Sequence, residues 1–157
     1  MVFEELYKTY WQKIFRLCMG YINDHAQAQD MTQEVFITVW QQLPKFRNES
    51  NIGTWIFRIA TNNCLRQIEK NKRNNNTSLP TNLAEDEKQL DIEPQIQFLY
   101  QCIVELPEID RIVISLELED VKQAEIAHIT GLSEANVRVK IHRIKERLTQ
   151  KFKENGQ

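Results

Sequence analysis

Apolar residues return every three or four positions along almost the whole of this chain, and the pattern lapses for one long stretch, residues 73–93. That spacing collects side chains on one side of a helix, whereas strands need strict alternation. Phe3, Leu6, Tyr7, Tyr10, Ile14, Leu17, Cys18 and Tyr21 form the first such stripe and predict a helix from Val2 to Ile22. Asp24 with Gln27 three positions on reads as a capping box. It opens a second helix to about Leu43, striped by Met31, Val35, Ile37 or Thr38, and Leu43, and ended by Pro44. The segment "KFRNESNIG" has turn residues and no period, so it reads as a loop. A third helix is expected from Thr54 to Lys72, with Trp55, Ile59, Cys64 or Asn63, and Ile68 facing inward. After the lapse the period resumes with Ile96, Leu99, Tyr100, Ile103 and Val104. Pro107 then opens a helix carrying Ile109, Ile112, Val113, Leu116 and Leu118, followed by helices over Gln123–Thr130 and Ser133–Lys153. With only four Gly and four Pro, long helices are easier to build than a many-turned β fold. The expected class is all-α: two small helical domains, 1–72 and 94–157, joined by a flexible linker over 73–93. The linker's Asn-rich polar composition buries too little apolar surface to fold alone.

Several function classes lose support at once. No apolar run approaches the roughly 20 residues of a membrane span, so no membrane insertion is expected. The opening "MVFEELYKTYW" has acids and no basic region ahead of an apolar stretch, which argues against a signal peptide. Cys18, Cys64 and Cys102 are odd in number, form no Cys-x-x-Cys pair, and are expected to be small buried hydrophobes in a reducing cytoplasm. The His residues are scattered and there is no Gly-rich phosphate loop. No catalytic residue, metal, cofactor or small-molecule substrate is therefore expected, and the chain does not read as an enzyme. The formal net charge of −2 conceals segregation: 1–73 holds ten Lys/Arg against seven Asp/Glu, 74–120 two against eleven, and 121–157 eight against four. Clustered positive charge at both ends is the footprint expected of a polyanion binder.

The basic C-terminal stretch, "QAEIAHITGLSEANVRVKIHRIKERL", has a mechanical logic. Ala127 is small where two helices must cross, Gly131 suits a tight turn, and Ser133 suits a cap. Val137, Ile141, Ile144 and Leu148 then form an inward stripe. Arg138, Val139, His142, Arg143 and Lys145 are left facing out. This is the pattern of a helix-turn-helix whose second helix enters a major groove, with a plain helical hairpin bearing solvated charge as the bland alternative. Arg can grip guanine edges and Val139 can meet a thymine methyl. Lys140, Lys145 and Arg147 suit phosphates. His142 is equally at home as a contact or a neutral spacer. Glu134 and Asn136 either reach bases or cap the helix.

In the second helix, Asp30, Gln33 and Glu34 share one face, while Phe36 and Trp40 share another. The run Ala28-Gln29-Asp30-Met31-Thr32-Gln33-Glu34-Val35-Phe36, with Trp40 beyond it, resembles a signature of bacterial RNA polymerase sigma factors. The run Thr54-Trp55-Ile56-Phe57-Arg58-Ile59-Ala60-Thr61-Asn62 resembles a second one. Leu106-Pro107-Glu108, Arg111 and the helix-turn-helix are similar to the family's C-terminal domain. Their order and spacing resemble the extracytoplasmic-function (ECF) subfamily of the sigma-70 type. The resemblance implies core RNA polymerase and promoter DNA as partners, with an anti-sigma factor as regulator. It places Asp30, Gln33 and Glu34 on the polymerase-docking surface. It places Asn48, in the loop Asn48–Gly53, and Trp55, Arg58, Asn62 and Arg66 at the −10 element, which is opened there with bases flipped out. Lys70, Lys72 and Arg73 continue that stripe. The helix-turn-helix is implied to read the −35 element. For Trp55 and Trp40 the residues themselves favour core packing. A stand-alone helix-turn-helix regulator that binds DNA without polymerase is the alternative reading.

Overall fold

The computed structural model describes residues 2–74 and 93–156, without the side chains of residue 68 and residues 71–74. The sequence-based places of the linker, Ile68, Lys72 and Arg73 therefore lie outside the described residues. Among the described residues there are seven α-helices and no strand. They are α1 (Phe3–Ile22), α2 (His25–Gln42), α3 (Ile52–Asn74), α4 (Pro94–Val104), α5 (Glu108–Leu118), α6 (Gln123–Thr130) and α7 (Glu134–Glu154), with a 3-10 turn at Leu43–Lys45.

The helix boundaries follow local chemistry. Asn23 ends α1 in the left-handed region (φ 50°), its N–H donating to the Met19 carbonyl. Asp24 caps α2 by accepting from the Gln27 N–H at 3.0 Å. The Gln27 amide turns to the Asp24 carboxylate at 3.3 Å, so both members of the box face each other. The Pro44 ring sits in the 3-10 turn, where it has no i−4 bond to break. The third helix starts at Ile52, two residues before Thr54, because the Asn51 side chain accepts from the Gly53 N–H at 2.7 Å and supplies a cap.

Burial corrects the inward stripes in several helices, beginning with Tyr7 of the α1 stripe, which is exposed at the surface. In α2 the buried set is Ala28, Met31, Thr32, Val35, Phe36 and Val39, while Ile37 is 56 % exposed. Phe36 and Trp40 part company: Phe36 is buried and Trp40 is 63 % exposed, so the expectation of core packing fails for Trp40. In α3 the inward residues are Ile56, Phe57, Ala60, Thr61, Asn63 and Cys64, with Trp55 and Ile59 half-buried at the edge. Leu118 and Ile96, at helix ends, are exposed. The three cysteines are free and buried. The Cys18 and Cys64 sulfurs lie 4.0 Å apart, and that hydrogen-bonding contact together with burial holds the Cys64 thiol well above its ordinary range.

The two halves pack against each other. α1 lies against α2 and α3 on one side and α4 and α5 on the other, and α3 touches α6. One buried cluster consequently runs from Leu6 through Cys64 into Ile112, Leu116, Ile126, Val137 and Ile141. A second, smaller one joins Cys102, Ile103, Leu106 and Ile114 to Ile144 and Leu148. Met19 and Gly20, outside the predicted α1 stripe, are buried for this reason. Gly20 faces Ser115 so closely that a Cβ would collide with the Ser115 hydroxyl, which makes glycine the residue that permits this helix crossing.

Candidate nucleic-acid and polymerase interfaces

The turn between α6 and α7 is built as a helix-turn-helix needs. Gly131 takes φ 82° and its N–H closes α6 on the Ala127 carbonyl at 2.9 Å. A side chain there would be strained. Ser133 caps α7 by accepting from the Asn136 N–H at 3.0 Å. This bond fixes Asn136 by its backbone and leaves its side chain exposed, as is that of Glu134. Val137, Ile141, Ile144 and Leu148 are all buried. Arg138, Val139, His142, Arg143, Lys145 and Arg147 are exposed, so the outward face stands where the period puts it.

The cations on that face differ in what they touch. The Lys140 ammonium, half-buried, donates to Asp110 of α5 at 2.9 Å. Lys145 reaches Glu117 of α5 at 3.0 Å. Lys151 reaches Glu105 at 2.8 Å, and that hydrogen bond holds the Glu105 carboxyl below its ordinary range. His142 lies 3.3 Å from Glu146 along the helix. The lysines thus fasten α7 to α4 and α5, while the Arg138 and Arg143 guanidinium groups carry no hydrogen bond or ion pair among the described residues. A guanidinium held out in water keeps its planar fork for a bidentate partner.

On α3, Trp55, Arg58, Asn62 and Arg66 follow one another at spacings of three, four and four and so share a face. Trp55 is half-buried and its ring packs on Phe46 at 4.8 Å between centres, making a two-ring platform beside the loop. Asn48 sits in that loop, exposed, with φ 58°. Asn tolerates this conformation better than most residues. One Arg58 guanidinium nitrogen is buried with no hydrogen-bond partner among the described residues. Asn62 and Arg66 are exposed, and Arg66 approaches the Asn63 side-chain oxygen at 3.5 Å. Lys70 is exposed one turn further on.

On α2, Asp30, Gln33 and Glu34 are exposed together, and the two carboxylates have no ion-pair partner among the described residues. The same face carries what the sequence reading missed. Ile37 and Trp40 continue from Gln33 at spacings of four and three, and Trp40 lies against Phe3 of α1 at 5.2 Å between ring centres. An exposed aliphatic and an exposed indole beside unpaired acids make an apolar centre with a charged rim. The spacing alone held that signal, but an apolar residue one step off a stripe reads first as core.

Residues 6–74 match the family model described as Sigma-70 region 2, and residues 97–148 the one described as Sigma-70, region 4. The RNA polymerase sigma-H factor of Pseudomonas aeruginosa is 31% identical over 92% of this chain and 82% of its own length. The ECF RNA polymerase sigma factor SigW of Bacillus subtilis is 26% identical over 97% and 89%. Among solved structures, the sigma factor RpoE in complex with the anti-sigma factor NepR from Bartonella quintana superposes with a TM-score of 0.80 at 19% identity, over 96% of both chains. CnrH in complex with the cytosolic domain of CnrY gives 0.72 at 18%, over 96% of this chain and 87% of that one. These two establish the likeness of fold, and the matches in sequence carry the rest. The chain belongs to the ECF subfamily of sigma-70 type RNA polymerase sigma factors, which bind core polymerase and direct transcription initiation at promoters.

Proposed function

We propose a division of labour along the chain, with 1–72 docking on polymerase and opening the −10 element, 73–93 tethering, and 94–157 reading the −35 element. The observation that carries it is the contrast between two outward faces, acidic and apolar on α2, basic and mostly polar on α7. Asp30, Gln33 and Glu34 surround Ile37 and Trp40 as a protein-docking surface, since a carboxylate beside DNA phosphates is repelled. Trp55, backed by Phe46, supplies a stacking surface for an extruded base. Asn48, Arg58, Asn62 and Arg66 supply polar edges and charge for the same strand. On α7, Arg138, Val139, His142 and Arg143 read base edges, while Arg147 and the lysines 140 and 145 hold phosphates.

The protein acts as a non-enzymatic specificity subunit in the cytoplasm, where its relatives' polymerase works. An anti-sigma factor is its regulator, a reading supported by the two similar solved structures, each a complex of that kind. Reconstituted transcription tests the whole. Core polymerase with this protein should initiate at a defined set of promoters that core alone ignores, and the protein alone should leave no footprint there. A footprint without polymerase would establish the stand-alone regulator instead.

A further inference from the structure

Lys140 and Lys145 stand on opposite sides of the buried stripe of α7. Five positions apart at about 100° per residue, they point about 140° away from each other, with Ile141 and Ile144 between them. Both nevertheless reach the same neighbour. Lys140 donates to Asp110 at 2.9 Å and Lys145 to Glu117 at 3.0 Å. The two acids lie two turns apart on one face of α5, and Ile114 between them packs in the same cluster as Ile144 and Leu148. Thus α5 crosses the stripe with one carboxylate emerging on each flank of α7. The Asp110 and Glu117 side chains are 19% and 21% exposed, so water is a poor substitute for the ammonium at either.

These opposed ties control a motion that the stripe leaves free. Apolar packing is non-directional, so a small roll of α7 about its own axis costs the stripe little. A charge-assisted hydrogen bond is short and directional. A roll in either sense stretches one of the two, because they pull from opposite flanks. Roll matters for reading bases. At about 6 Å from the axis, a roll of about 20° carries a side-chain end about 2 Å, enough to break a bidentate bond. Each tie also leaves two of the three ammonium hydrogens free, so a lysine can meet a phosphate while its carboxylate still holds it.

We propose that Asp110 and Glu117 are positioning residues for base recognition: through Lys140 and Lys145 they fix the roll of α7 and so aim Arg138 and Arg143. The inference rests on the reading of α7 as the −35 reader. Ion pairs that reach solvent add little to stability, so their loss shows in aim before it shows in folding. Cutting both ties frees the roll and releases two ammonium groups to any phosphate. Discrimination and grip therefore change in opposite directions, which a merely unfolded helix would not produce.

The test uses holoenzyme reconstituted from core polymerase and the full chain. Templates are a promoter from which it initiates and versions changed base by base in the −35 element. Asp110→Asn with Glu117→Gln should cut the preference for the native −35 sequence about fivefold, spread over several adjacent positions. Output from the weakest −35 versions should hold or rise, and the salt dependence should steepen by about one charge per released lysine. Glu105→Gln, which cuts the Lys151 tie beyond the reading residues, should leave the preference unchanged. An unchanged preference in the double variant overturns the inference while the −35 reading stands. Equal loss on every −35 version, with a lower melting temperature, also overturns it, since the ties are then plain stability contacts. An equal loss of preference in Glu105→Gln overturns it in favour of the general seating of α7. A wild-type holoenzyme indifferent to the −35 sequence overturns the reading of α7 itself, and the inference with it.

Discussion

The helices α2 and α7 are alike on the inside and opposite on the outside. Each buries one stripe, Met31, Val35 and Val39 in the first and Val137, Ile141 and Ile144 in the second. Outward, α2 presents unpaired carboxylates around an indole that is 63 % exposed, whereas α7 presents arginines around Val139. The inward stripes are exchangeable in chemistry and say only that both helices pack. In the division of labour proposed above the outward faces select partners, because a phosphate backbone attracts the second and repels the first, while an exposed Trp beside acids favours a groove in a protein.

The strongest way to break this comparison compares two aromatics one turn apart on α2. Phe36→Ala should cost about 3–5 kcal/mol of unfolding free energy, measured by denaturant titration. Trp40→Ala should cost under about 1.5 kcal/mol, mostly from its contact with Phe3, and should weaken binding to core polymerase. Equal destabilisation by the two would make the outer face of α2 part of the core.

On α7 the expected effect is next in size. Arg143→Ala should cost about 1–3 kcal/mol at one position of the −35 element and relax discrimination there, read by transcription from promoters varied base by base. A uniform loss across all variants would make Arg143 a backbone anchor. Smaller in stability is the effect of Asp30→Ala with Glu34→Ala. Unfolding free energy should change by no more than about 0.5 kcal/mol while polymerase binding falls. A large drop in melting with binding retained would show these acids to be structural.

The smallest effect sharpens the comparison within α7 itself. Lys145 is tied to Glu117, so the phosphate contact proposed for it would compete with that pair. Lys145→Ala should weaken every promoter by a similar modest factor and lower the salt slope by about one charge. Glu117→Gln, which releases the ammonium, should strengthen binding slightly. No change from either would reduce Lys145 to a fastener between α7 and α5.

Local physics made much of this molecule legible in the residues alone. The turn at Gly131, the cap at Ser133, the cap at Asp24 and the α7 stripe each depend on side chains within a few positions of one another, so their spacing carries them. The charges on the α2 and α7 faces followed from the same periods, whereas the apolar centre of the α2 face did not. Other features depend on neighbours distant in the chain. The α3 stripe falls one position from where Trp55 and Ile59 suggested, because those two pack half-buried at the rim of the core cluster and not inside it. Ile37 and Trp40 remain outside because, among the described residues, that side of α2 meets little beyond the Phe3 ring at its edge. Met19 and Gly20 are inside because α4 and α5 close over α1, a docking set by the fit of Gly20 to Ser115 and of Arg16 to Glu119 across 103 positions of sequence. Periodicity records that a helix has an apolar side. How many sides are covered, and which charges are already paired, depends on what packs against it, and only the tertiary structure decides that.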